Sequence, residues 1–244
     1  MKGTLAIAGR EFRSYFYSPV AYVVICLSMF LLGVFFFLFR GAFWQIDRAS
    51  FDRLFQYGAT GLSLLIVPVL TMRLLAEEKH SGTLEMLISL PVKDSEVILG
   101  KFLGAFGLVA VLLAASTLYP LMMFVWPWNL GPLDPGPVLT GYLGLVLLSM
   151  AAIAVGLMIS SLTSSLAIAW IVTFIVLLLM QQMSAIGEFV PGVVGDFFRF
   201  VSFDTNLQNF SRGLIDTRNV VYFLSITGLC LVIAFRSLES RKWS

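Results

Sequence analysis

Residues 135–187 read PGPVLTGYLGLVLLSMAAIAVGLMISSLTSSLAIAWIVTFIVLLLMQQMSAIG, and between Asp134 and Glu188 no side chain is charged. A helix needs about 20 apolar residues to cross roughly 30 Å of hydrocarbon, because it must pair its backbone groups internally. The stretch is long enough for two crossings and far too apolar to surface a soluble domain. Ser160-Ser161-Leu162-Thr163-Ser164-Ser165 divides it and reads as a tight turn at a membrane face. Crossings over residues 138–159 and 166–186 follow.

The same pattern recurs on either side. Residues 20–39 carry no ionisable group before Arg40, and residues 54–72 close at Arg73. A further run starts after Lys101 and ends where Trp126-Pro127-Trp128-Asn129-Leu130-Gly131-Pro132 supplies interfacial aromatics and turn formers. Residues 220–235 stop at Arg236. The count is six crossings, or five if the last run only lies in the interface. Composition agrees: 59% of residues are hydrophobic and 12% charged, against about 25% charged in a soluble domain. An aqueous enzyme, a disordered tail and a nucleic-acid binder are excluded, and a formal charge of +2 offers no bulk attraction to nucleic acid. Cys26 and Cys230 sit in apolar runs as small buried hydrophobes, and with His80 the only histidine no His-rich metal site can be assembled. No cleaved signal is expected, since Arg10, Glu11 and Arg13 interrupt the start.

Basic residues set the orientation. With the N-terminus inside, Lys2, Arg10, Arg13, Arg73, Lys79, Lys93, Lys101, Arg236, Arg241 and Lys242 are cytoplasmic. Arg40, Arg48, Arg53, Arg199, Arg212 and Arg218 are outside. The inside holds the larger share, so both termini are expected in the cytoplasm.

Three segments lie outside the crossings. In residues 1–19, Leu5, Ala8, Phe12 and Tyr15 or Phe16 recur at helical spacing, with Arg10 and Arg13 off the stripe. This predicts an amphipathic interfacial helix that Pro19 turns into the first crossing; a plain positive anchor gives the same charges. Residues 73–101 hold nine of the chain's charges. There Ser81-Gly82 breaks one short helix, residues 83–90 form another with Leu84, Leu87 and Ile88 on one face, Pro91 stops it, and Asp94 or Ser95 can cap the next. The apolar stripe fits the groove of a cytoplasmic partner or rests on the membrane surface. Residues 188–219 hold six phenylalanines, which suggests a hairpin dipping into the outer leaflet, with Asp196 and Asp204 each able to start a short helix.

These residues carry a resemblance. Glu77-Glu78-Lys79-His80-Ser81-Gly82-Thr83-Leu84-Glu85, then Leu90-Pro91-Val92 and Glu96-Val97-Ile98-Leu99-Gly100-Lys101, resembles the signature of type-2 ABC transporter permeases. Arg10-Glu11-Phe12-Arg13-Ser14-Tyr15 through Ser18-Pro19 resembles that family's N-terminal interfacial helix. Residues 210–223 and 237–243 are similar to the gliding-motility-associated branch. The resemblance implies an all-α polytopic membrane protein, one permease domain over residues 1–244. It would have six transmembrane helices, an interfacial helix (1–19), a cytoplasmic coupling helix within 73–101, and an outer re-entrant hairpin (188–219) before the last span. It implies coupling through Glu77, Glu78, Gly82, Thr83, Glu85 and Leu87 to a separate ABC ATP-binding subunit that binds the ATP and Mg. It further implies a second permease copy, an accessory envelope protein, and residence in a prokaryotic inner membrane.

The chain's own chemistry points the same way. Gly100-Lys101 is the nearest approach to a phosphate-binding loop, but Ser95 stands at the first glycine and Phe102 at the hydroxyl position. An ATPase would therefore be a separate chain, and no cofactor, metal or catalytic residue is expected in this one. None of the six runs contains Asp, Glu, Lys, Arg or His, which argues against a secondary carrier. Gly100-x-x-x-Gly104 and Ala152-x-x-x-Gly156 permit close helix approach, and Pro68 and Pro120 free carbonyls inside two runs. Gln181 and Gln182 either line a pathway or hydrogen-bond between helices. The expectation is the membrane subunit of an ATP-driven exporter, with a non-transporting envelope scaffold and a secondary carrier as alternatives.

Overall fold

The computed structural model describes residues 2–37, 51–82, 93–124, 135–190 and 192–240. They form helices α1 (Lys2–Tyr17), α2 (Pro19–Phe37), α3 (Asp52–Gly61), α4 (Val67–Thr71), α5 (Ala76–His80), α6 (Asp94–Ser116), α7 (Leu118–Phe124), α8 (Pro135–Leu162), α9 (Leu166–Phe189), α10 (Val193–Val201), α11 (Phe203–Ser211) and α12 (Thr217–Ser240). A π-helical turn, Leu62–Ile66, joins α3 to α4, and no strand occurs among the described residues.

Small side chains place α8 at the centre. Gly141, Gly144, Ala151, Ala152, Ala154 and Gly156 are all buried, so neighbouring backbones approach it on several sides. A Cβ on Gly156 would lie 2.2 Å from Thr71 Oγ1, and one on Gly141 2.3 Å from Phe55. α12 packs most extensively on α8. Thr140 Oγ1 donates to the Phe210 carbonyl at 2.7 Å at one end of α8, here the upper end. Ser237 Oγ donates to the Ser161 carbonyl at 2.9 Å at the other, lower end.

Five stretches are long and apolar enough to cross a membrane: Asp52–His80, Asp94–Met122, Pro135–Leu162, Leu166–Phe189 and Thr217–Ser240. The α1–α2 pair, bent by 74°, raises the count to six. The last run is thus a full-length helix, and the uncertain crossing is the first. The Asp94–Met122 candidate begins two turns earlier than hydropathy suggested, with Gly100 packed against α1 and Lys101 buried. Lys93, rather than Asp94 or Ser95, holds the cap position. The hydroxyl cluster is only half turn: Ser160 and Ser161 are the last buried residues of α8, and the break is Thr163–Ser165.

Both prolines disturb their helices as expected. Pro68 lacks an N–H and would clash with the carbonyl four residues back in a regular α-helix. The chain widens to the π turn just before it, with the Val67 N–H reaching the Leu62 carbonyl. Pro120 follows the break at Thr117 between α6 and α7. Cys230 is buried, but Cys26 is exposed on α2.

At the upper end α10 folds back on α9. Gly192, at φ +85°, makes the reversal. A Cβ on Gly195 would come within 2.0 Å of the Val190 carbonyl oxygen, so the two helices are nearly in backbone contact. Gly192 and Ser202, not Asp196 and Asp204, occupy the cap positions of α10 and α11; Ser202 Oγ accepts from the Thr205 N–H. Asn206 Nδ2 donates to the Phe200 and Ser202 carbonyls at 2.9 and 2.8 Å, and Asn219 Nδ2 to the Asn206 carbonyl at 3.0 Å. Phe203 and Phe210 are buried, while Phe189, Phe197 and Phe200 are exposed along an apolar face.

Candidate functional site

At the lower end, the backbone leaving α4 needs partners for the N–H groups that open α5. A helix start leaves its first amides unpaired within the helix. Ser160, on α8, supplies the acceptor: its Oγ takes the Leu75 N–H at 3.1 Å and the Ala76 N–H at 3.0 Å. The central helix therefore caps α5 from across the fold. Lys79 Nζ donates to the carbonyl of buried Ser161 at the α8 C-terminus, where positive charge is favoured. Gly82, at φ +70°, ends the element with a conformation that other residues resist.

On the opposite face of α5, Glu78 Oε1 accepts from Lys101 Nζ at 2.6 Å, and Glu11 Oε1 of α1 accepts from the same nitrogen at 3.0 Å. Only 2% of the Lys101 side chain is exposed, against 14% for Glu11 and 19% for Glu78. A buried ammonium is costly unless paired and hydrogen-bonded, and here two carboxylates do both. Arg10 approaches Glu11 at 3.5 Å from the exposed side. One lysine thus ties together α1, α5 and the base of α6.

The glycines of α6 explain how Glu11 reaches that far. A Cβ on Gly100 would lie 2.7 Å from Ile7 Cβ, one on Gly104 2.6 Å from Glu11 Cβ, and one on Gly107 2.9 Å from Phe12. They form a groove in which α1 rests. The half-buried face of α1 that rests on α6 is consequently Ile7, Ala8, Glu11, Phe12 and Tyr15, whereas Leu5, placed on the apolar stripe by spacing alone, is 67% exposed. Burial, and after it the Glu11 carboxylate, pushes the Tyr15 phenol above its usual range, with Arg73 opposing. Tyr15 therefore stays neutral.

A cavity of about 460 Å³ opens beside the cluster, lined by Arg10, Glu11, Ser14, Tyr15, Arg73, Glu77, Glu78 and Lys101 with apolar residues above them. Of the residues singled out in the sequence, Glu77 is exposed on α5, Glu78 binds Lys101, and Gly82 terminates α5. Thr83, Glu85 and Leu87 lie outside the described residues. Gly100 and Gly104 face α1. Gln181 is buried and Gln182 exposed, so the pair does not act as a unit. Gln181 Oε1 has no hydrogen-bond partner among the described residues. Glu11, Lys101 and Ser160 were not singled out. The only sequence signal for the first two was opposite charge in segments flanking the same membrane face, and Ser160 was read only as part of the hydroxyl turn. No cluster of metal-ligating side chains occurs among the described residues.

The arrangement defines a multi-pass helical membrane protein whose elaborated polar structure gathers at one end, where chain segments distant in sequence are locked together. The ABC-2 family transporter description matches residues 5–241, and the chain belongs to that family. The family is the membrane, or permease, component of ABC transporters, which normally works with an ATP-binding subunit. No curated protein matches the chain.

Proposed function

We infer that this chain is the membrane half of an ATP-driven exporter, receiving motion at the 73–101 corner from a separate ATP-binding subunit. The observation that carries the reading is the buried Glu78–Lys101–Glu11 cluster. A connecting loop has no need of a desolvated ion cluster. A corner that must move as one piece with α1 and α6 does, because breaking the cluster would strand a buried charge. In this reading the lower end is cytoplasmic, and Glu77, Glu78, Gly82, Thr83, Glu85 and Leu87 form the contact with the ATPase, which holds the ATP and Mg. Both termini face the cytoplasm across a prokaryotic inner membrane. α1 is the interfacial helix, and the α10–α11 turn is the outer re-entrant hairpin, its exposed Phe197 and Phe200 in lipid. A second permease copy completes the assembly. The similarity of residues 210–223 to the gliding-motility branch supports mechanical output and an accessory envelope protein as a variant of the same machine. ATP binding drives the change only in so far as the ATPase holds one permease state more tightly than the other.

The test is co-expression with an ATP-binding-cassette subunit and assay of the purified complex. Glu85→Lys is expected to lower cargo-stimulated ATP hydrolysis while membrane insertion stays intact. Unchanged stimulation would count against the assignment. Nucleotide-insensitive binding with no stimulation would favour a scaffold.

A further inference from the structure

A second cavity of about 580 Å³, mainly apolar, is lined by Ser28, Leu32 and Phe35 of α2, Leu62, Leu65 and Ile66 of the π turn, and Leu112 and Leu113 of α6. The lower cavity ends on the same helices one turn away, at Val24 on α2, Val69 on α4 and Leu108 on α6. The two hollows share no lining residue, but consecutive turns of α2 and α6 bound both, so they lie end to end between the same helices, and contacts between α2 and α4, which flank them, are sparse. From Lys101 to Ser116 along α6 the cleft spans about 22 Å at 1.5 Å per residue, close to the depth of one leaflet with its headgroup. Both volumes fall within the range of about 300–1,000 Å³ usual for ligand sites.

We propose that this cleft is a binding site for a single zwitterionic phospholipid bearing a primary ammonium, its headgroup among Arg10, Arg73 and Glu77 and its hydrocarbon against the π turn. The sign balance selects the headgroup. Arg10, Arg73 and Lys101 line the charged cavity together with Glu11, Glu77 and Glu78, so the lining is neutral overall. A purely anionic headgroup would face as many carboxylates as cations. A phosphate on the two arginines with an ammonium on the carboxylates satisfies both signs. Quaternary ammonium groups are recognised by aromatic cages, and Tyr15 is the one aromatic ring in the charged cavity, whereas Ser14, Ser18 and the carboxylates accept N–H bonds. The neutral Tyr15 phenol adds a donor without adding charge. The site needs only a membrane, and it stands whether or not the corner couples to an ATPase.

Native mass spectrometry of the detergent-purified full chain tests it, against an equimolar mixture of phosphatidylethanolamine, phosphatidylcholine and phosphatidylglycerol with identical acyl chains. Retention of phosphatidylethanolamine above both others is expected. Arg73→Gln should lower it about tenfold, the loss of one charge-assisted hydrogen bond. Leu65→Trp, which fills the apolar end, should lower retention of all three lipids, and size-exclusion profiles confirm that each variant is folded. Equal retention of the three lipids, preference for phosphatidylglycerol, or undiminished binding by folded Arg73→Gln and Leu65→Trp would overturn the proposal.

Discussion

Lys101 is the residue on which the lower end turns. Lys101→Met removes the cation between Glu11 and Glu78 and leaves only Arg10, at the exposed side of Glu11, a class of change that costs about 3–5 kcal/mol. Because both carboxylates retain some exposure, the loss should fall at the lower end of that range. Thermal unfolding in detergent should show a lower midpoint for Lys101→Met. Adding Glu11→Gln and Glu78→Gln should restore much of it, since the uncompensated charges are then gone. A midpoint unchanged by Lys101→Met would mean the cluster is not formed in the membrane. Ser160→Ala is a smaller test at the same scale. It removes the shared acceptor of the Leu75 and Ala76 amides and should cost about 1 kcal/mol, as the loss of a helix cap does. Faster amide exchange at Leu75 and Ala76 would locate that loss, and protection equal to wild type would refute the cap.

At the scale of elements, the groove on α6 decides where α1 sits. Gly104→Val places atoms where Glu11 Cβ and the Ala8 carbonyl already lie, so α1 must lift. Proteolysis after Arg10 and Arg13 should accelerate in Gly104→Val and stay at the wild-type rate in Gly228→Ala, where an added Cβ meets nothing within 4 Å. Equal rates in both variants would show that α1 does not depend on the groove. The element level is also where sequence reading was strongest and then failed. A crossing is a one-dimensional property, so uncharged runs gave α8, α9 and α12 within a few residues. The buried face of α1 is a two-body property. Apolar spacing put Leu5 on the stripe of an interfacial helix and passed over Glu11, because nothing in residues 1–19 records that a glycine groove and a lysine wait on α6. The Lys101 contacts join positions 11, 78 and 101, and a lone lysine before an apolar run reads as a boundary, not as a centre. Ser160 was legible as a helix end but not as the cap of another helix.

For the whole molecule, α8 and its buried small residues form the fixed core, while α9 and α12 expose long apolar faces to lipid or to further chains. The moving part, in the function inferred here, is the unit of α1, α5 and the base of α6 held by Lys101. Spin labels at Ala6, His80 and Arg236, all exposed, measure whether that unit exists when the chain is bound to an ATP-binding subunit. On ATP binding, the Ala6–His80 distance should stay constant while both labels shift relative to Arg236 at the foot of α12. In Lys101→Met, Ala6 should cease to follow His80. Distances that ignore nucleotide throughout, or an Ala6 label that moves independently of His80 in the wild-type protein, would contradict the account.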